Sequence, residues 1–341
     1  MSRLSDDRVT TLHGAGGELM EQFLRERVLP RFRLRRAGPI GLDELDDGAV
    51  VDLPPGRVVV TTDTHVVKPW FFPGGDIGAL AVCGTANDLA VMGARPVALT
   101  MALLLEEGFP LDDLEAILSS AAEELARLGL PLVAGDTKVV GKGELDGIAV
   151  NTTGVGVAER VVSDAGLRPG DAIVVTGTVG DHGMALLASR EGFHLQTELR
   201  SDVAAVWPLL APALADGGIT ALKDPTRGGL AAALNEMARK AGVGIEVRED
   251  AIPVRPESRA LSDLLGISPL EVACEGRAVL AVEADRAVAL VALLRKHPLG
   301  RNAAVIGTAI PEYPGRVVLD TGVGGRRFLE MPLGDPVPRI C

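Results

Sequence analysis

At 341 residues, with 47% hydrophobic side chains and 41 glycines, the chain is longer than the roughly 250–300 residues at which a single core stops growing, so two domains are expected. Thirty-four basic against 46 acidic residues give a net charge of −12, a field that repels a nucleic-acid backbone. No stretch reaches the ~20 apolar residues of a bilayer span, and three widely spaced cysteines, Cys83, Cys274 and Cys341, fit neither a disulfide framework nor a CxxC metal site.

In chain order, the first residues lack a signal-peptide apolar core, and a cytoplasmic protein is expected. The run His13-Gly14-Ala15-Gly16-Gly17 reads equally as a flap over phosphates or as the loop before a first helix. Residues 25–36, RERVLPRFRLRR, alternate basic and apolar and read as the solvated side of an amphipathic helix and its exit. An apolar β-branched strand, VVVTTD, follows over 58–63, then a Pro/Gly loop, an alanine-rich helix over 76–92, a strand within ARPVALTMALLLE, a helix over 111–128 behind Pro110, and a strand PLVAGD.

A turn cluster, LRPGD, opens a second unit with a strand AIVVTGTVG and a helix over 180–190. Helices near 202–215 and 228–241, strands GIEV and AVLAVEA, a helix over 285–296 and a strand NAAVIGTAI complete it. The expected fold is therefore α/β (α+β) in two lobes. Its expected parts are an N-terminal segment 1–37, a lobe 38–160, a second lobe 168–325 and a flexible tail 326–341. Three prolines in the last ten residues favour extended geometry, with a reach on the order of 30 Å for the final thiol.

Short acidic stretches close several apolar runs: Asp46-Asp47-Gly48, Thr61-Thr62-Asp63, Asn87-Asp88, Gly135-Asp136-Thr137-Lys138 and Asp224-Pro225-Thr226-Arg227-Gly228-Gly229. Ligands collect at strand carboxyl ends, so these five are expected to share one site. Hard carboxylate oxygens suit Mg2+ held jointly with phosphates, with Asp47, Asp63, Asp88, Asp136 and Asp224 as metal candidates. Lys138 and Arg227 would balance phosphate charge, and Gly228 would open a helix to an anion. Taken one by one, the same aspartates serve as turns and helix caps. Neither a P-loop nor a GxGxxG after a strand is present.

HGAGG, DDGA, TTDTHVVKPWFFPGGDIG, CGTANDLAVMGARP, GDTKVV, DPTRGGL, ACEG and the final PRIC together resemble the HypE family of hydrogenase maturation factors, which are carbamoyl dehydratases. DDGA, TTD and GDTK alone mark the wider superfamily of aminoimidazole ribonucleotide synthetase, thiamine monophosphate kinase and selenophosphate synthetase. The resemblance implies a two-lobed PurM-like fold, a homodimer through the N-terminal lobes, and ATP with Mg2+ near that interface. It implies that Cys341 accepts a carbamoyl group from the carbamoyltransferase HypF, that ATP-dependent dehydration converts the thiocarbamate to a thiocyanate, and that the cyano group passes to iron on the HypC–HypD complex.

On that resemblance the nucleotide is expected at Asp47, Asp63, Thr64 and Asn87, at Gly135, Asp136, Thr137 and Lys138, and at Asp224, Thr226, Arg227 and Gly228. Dehydration needs a base near the carbamoyl nitrogen. Glu275 is the first candidate, Lys138 serves the phosphoryl group or relays a proton, and Asp88 does metal or base work. Other readings stay open: a selenophosphate synthetase or thiamine monophosphate kinase of the same fold, an interaction protein whose tail docks on a partner, and an incidental Cys341. A selenophosphate synthetase is expected to carry its reactive residue in the N-terminal glycine-rich region, where this chain has none.

Overall fold

The computed structural model describes residues 8–14, 17–45, 48–192, 199–322, 324–334 and 336–337. The first lobe opens with α1 (Gly17–Phe23), which continues through π and 3-10 turns to Arg31. Then follow β1 (Arg57–His65), the short β2 (Phe71–Phe72) and β3 (Gly75–Asp76), α2 (Ile77–Val91), β4 (Arg95–Glu106), α3 (Leu111–Leu128), β5 (Leu132–Val140) and β6 (Ile148–Ala158). The basic run behaves as a paired, solvated side: Arg27 and Arg31 both bind Glu115 of α3, and Arg35 binds Asp43 at 3.1 Å.

Helix α2, IGALAVCGTANDLAV, is apolar around its whole circumference and therefore has to be covered on every side. The Asp76 carboxylate starts it by accepting from the N–H groups of Gly78 and Ala79, at 2.8 and 3.0 Å. The sheet beneath it runs β1-β6-β4-β5, with only β4 and β5 parallel. Strand β6 has no counterpart among the expected elements, because its sequence IAVNTTGVGVA carries two glycines that weaken a strand signal. Those glycines let α2 settle: a Cβ on Gly154 would lie 2.9 Å from Leu89, and one on Gly156 3.3 Å from it.

Helices α2 and α3 cover one sheet face, and the opposite face is bare. Val60 there is 62% exposed and Val58 52%, beside a polar ladder in which Asn151 donates to Thr62 and Thr64 and Thr153 donates to Thr62.

The second lobe contains β7 (Ala172–Val175), α4 (Asp181–Arg190), α5 (Trp207–Asp216), β8 (Ile219–Lys223), α6 (Gly229–Ala241) and β9 (Gly244–Arg248). It continues with α7 (Pro256–Leu265), β10 (Val279–Val282), α8 (Ala287–Leu294), β11 (Ala304–Ile310), β12 (Val317–Asp320) and β13 (Arg326–Phe328). Its sheet runs β13-β12-β9-β11-β7-β10-β8, antiparallel except for β9 with β12. Among the described residues no helix is long and apolar enough to cross a membrane.

The lobes meet on α2, which also packs against α5 and β8. Asn87, buried in that contact, donates to the carbonyls of Ala204 and Glu275 at 3.0 and 3.1 Å and accepts from the N–H of Val206 at 2.8 Å. One amide thus satisfies three backbone groups of the other lobe.

The expectation of a free tail from residue 326 is corrected. Strand β13 extends the second sheet, and Leu329 is buried, its N–H on the Val317 carbonyl and its own carbonyl on Asn235. Pro332 fills the space over Gly228, 3.3 Å from where a Cβ would stand, and Val337 is wholly buried. Apolar surface left by these side chains would otherwise face water, so the segment packs despite its prolines. Arg339 and Cys341 lie outside the described residues.

Asn87→Ala removes a hydrogen bond from each of three backbone groups, two of them in buried contacts, and a buried group left unpaired costs about 1–3 kcal/mol. Urea unfolding should show a loss of about 2–4 kcal/mol, with the lobes separating first. An unchanged midpoint would exclude Asn87 as the joint.

Candidate functional site

Residues two apart on a strand share a face, so Thr61, Asp63 and His65 of β1 all look toward α2. Asp88, the one α2 side chain that is not buried, accepts from the Thr61 hydroxyl at 2.8 Å. His65 Nε2 lies 3.3 Å from an Asp63 carboxylate oxygen. Burial holds the imidazole below its usual pKa against the pull of Asp63, so the ring is neutral, and Nδ1 has no partner. Gly84 makes room for that ring, since a Cβ there would stand 2.8 Å from Nε2.

The second lobe brings Asp224, in the turn between β8 and α6, and Glu275, in the turn before β10. Gly228 and Gly229 close the first turn in left-handed backbone, φ 74° and 60°, and a Cβ on Gly229 would stand 2.5 Å from the Val272 carbonyl oxygen. Lys223 beside it is paired with Glu236 at 2.9 Å. Arg227 stands exposed at the rim and Thr226 is half-buried.

These carboxyls feel one another. Burial first, and then the Asp224 charge, push Asp88 up to about 7, with Asp63 adding and the Thr61 hydroxyl opposing. Burial also raises Asp224, eased by Lys223 and reinforced by Asp63. Glu275 is 3% exposed; burial drives its carboxyl well above the usual range, followed by the charges of Asp202, Asp224, Asp63 and Asp88. Its Oε1 atom has no hydrogen-bond partner. Acidic groups from four separate segments therefore share one low-dielectric interior, in which Lys223 offsets only part of their charge.

The five expected stretches do not all meet within one chain. Asp63, Thr152, Met101 and Gly135 lie in one row across the sheet, which puts Gly135 three strand spacings from Asp63, about 14 Å. Thr64 and Asp136 fall in the next row and on the bare face, where Lys138 also stands exposed; Asp136 accepts from the Thr137 N–H at 2.8 Å. Asn87, expected at the nucleotide, instead spends its amide on the lobe joint. Asp47 and Cys341 lie outside the described residues.

Among the described residues no three His, Cys, Asp or Glu side chains are already grouped to hold a metal ion. His13 of the glycine-rich run is buried against Phe23, with Nδ1 accepting from the Thr10 N–H. Cys83 and Cys274 are buried free thiols whose pKa burial pushes up, so both are packing groups. Thr61 and His65 are absent from the expected site, although their two-residue spacing from Asp63 places them beside it.

The chain matches AIR synthase related protein, N-terminal domain, over residues 45–158, and AIR synthase related protein, C-terminal domain, over residues 168–320. It is 46% identical to carbamoyl dehydratase HypE of Azotobacter vinelandii over the full length of both chains. Its structure superposes on that of hydrogenase maturation protein HypE in complex with ATP with a TM-score of 0.92 and 39% identity, covering 97% of this chain and 99% of the other. Against a HypE–HypF complex the TM-score is 0.79 at 39% identity, covering 93% of this chain and 100% of that one.

Because Asp88 binds its proton more tightly in the folded chain than in the unfolded one, folding loses stability as pH rises from about 4 to about 7. Asp88→Asn keeps the Thr61 contact and removes that penalty. At about pH 8 the ligand-free variant should be more stable than the parent by on the order of 1–2 kcal/mol, the two converging near pH 4 in thermal melts. A less stable variant at the higher pH would contradict the crowded carboxyls.

Proposed function

The chain belongs to the HypE family of carbamoyl dehydratases, and on that premise we propose that it converts a thiocarbamate on Cys341 into a thiocyanate at the expense of ATP, supplying the cyanide ligand of a [NiFe] hydrogenase. The observation that carries this reading is the course of the tail. It passes over the turn at Gly228, where Pro332 lies, and Val337 is buried in the large apolar cluster that also takes in Ala273, two residues before Glu275. Four residues remain to Cys341, a span of at most about 14 Å.

The overall change is RS–C(=O)NH2 plus ATP to RS–C≡N plus ADP and phosphate. The carbamoyl carbon loses its oxygen, which leaves as phosphate, and the nitrogen loses both protons. Glu275, with an unpartnered buried oxygen, is the group we assign to receive a proton from that nitrogen. Its raised proton affinity makes it a strong base once ionised. The carboxyls of Asp63, Asp88 and Asp224 suit Mg2+, which shares its coordination with phosphate oxygens and so needs no complete protein cage. When bound, the ion neutralises charge on the transferring phosphoryl group and among these carboxyls. Arg227 at the rim faces the same charge.

We assign the bare sheet face to a second copy of the chain. A two-fold axis along the strands sets β1 of one copy opposite β5 of the other, which brings Asp136 and Lys138 of the bare face toward the partner's Thr64. Exposed Val58, Val60 and Leu104 supply the apolar part of that contact. The solved HypE–HypF complex supports a carbamoyl donor of the HypF type, and the family resemblance extends to a HypC–HypD acceptor. Buried free thiols suit the reducing cytoplasm.

Intact-mass spectrometry tests the reaction: the donor should add one carbamoyl group to Cys341, and ATP should then remove the mass of one water. Cys341→Ser should abolish the conversion, and a serine variant that still yields nitrile would refute the assignment. For the dimer, Val60→Asp should give a monomer by analytical ultracentrifugation and reduce conversion at least about tenfold, because a buried unpaired carboxylate destabilises the contact. A dimeric variant would rule out that face.

A further inference from the structure

Behind Glu275 lies a buried ionic chain that the reaction above does not use. Asp202, 6% exposed, accepts from the Glu275 backbone N–H at 3.0 Å through Oδ1. Its other oxygen, Oδ2, has no hydrogen-bond partner and stands 3.5 Å from Arg277 Nε. Arg277 is itself buried, donating to the carbonyls of Thr178 and Gly276, both at 3.0 Å. Beyond it Asp181, fully buried, accepts from Thr178 and Ser258 and pairs with Arg255 at 2.9 Å. Arg255, 42% exposed, carries the chain to the surface.

Two glycines are placed for this arrangement. A Cβ on Gly177 would stand 2.7 Å from Arg277 Nε, and a Cβ on Gly276 would collide with the Asp202 carbonyl. Buried carboxylate oxygens without partners are rare, and two of the three orphaned buried side-chain atoms among the described residues belong to Asp202 and Glu275. Of the charges bearing on Glu275, namely Asp202, Asp224, Asp63 on β1 and Asp88 on α2, that of Asp202 is the strongest. Glu275 acts in turn on the thiol of Cys83 on α2.

We propose that Asp202 is a positioning residue for Glu275: anchored on Arg277, it fixes the Glu275 backbone with one oxygen and sets the proton affinity of the Glu275 carboxyl with its charge. The inference rests on Glu275 being the base of the dehydration. A negative neighbour disfavours a second carboxylate, so removing it weakens Glu275 as a base and ionises it at lower pH. Asn in place of Asp202 keeps an acceptor for the Glu275 N–H and deletes only the charge.

The test uses full-length protein carbamoylated on Cys341, for which cyanate serves as the reagent, and follows loss of water by intact mass after adding Mg-ATP at a series of pH values. Asp202→Asn should move the acid limb of the rate profile down by about one pH unit or more and lower the plateau rate about tenfold, with half-saturating ATP within about twofold of the parent. Arg255→Gln, whose folding is checked by thermal melt because it unpairs the buried Asp181, strips the outermost cation and should move the limb the other way. If neither variant moves the limb, Asp202 has only a structural role and the proposal is wrong. Glu275→Gln is run alongside: conversion that survives it overturns the base itself, whereas its loss with an unmoved Asp202→Asn limb overturns Asp202 alone.

Discussion

The arrangement depends on burying one helix on all sides. Successive residues of α2 point about 100° apart, and two neighbours on it have different tasks. Asn87 turns toward the second lobe and holds the backbone of Ala204, Val206 and Glu275, while Asp88 turns toward β1 and Asp224. The joint and the acidic interior are thus registered to within one residue of chain. A lobe shift large enough to open the interior has to break Asn87 first, so site geometry and lobe packing are coupled.

That coupling also explains why carboxyls are tolerated at such density. Glu275 is buried because its backbone is gripped on one side by Asn87 and on the other by Asp202, and its side chain faces charges that water does not screen. In isolation this is an unfavourable arrangement. The raised proton affinity of Asp88 and the nearby Lys223 each relieve part of that repulsion.

Much of this was legible in the sequence. Helix 111–128 is found as expected, as Leu111–Leu128, because Pro110 starts it and a left-handed Gly129 ends it. Asp63, Asp88, Asp224 and Glu275 were all named and do share an interior. Strand β6 was not legible, since glycines that fit under Leu89 look like breakers when the helix above is unknown. Nor was the separation of Asp63 from Asp136, because strand order is a tertiary property that no local pattern carries. The tail was misjudged for a related reason: prolines predict extended backbone correctly, but extended backbone docks well when Leu329 and Val337 have apolar recesses waiting.

Val337 gives the end of the chain a resting bias. Sequestering a valine is worth about 1.5–3 kcal/mol, so the retracted arrangement outweighs the released one by roughly 10- to 150-fold. Any partner that needs Val337 withdrawn meets it free in only a small fraction of molecules, and its apparent affinity for that segment falls by the same factor.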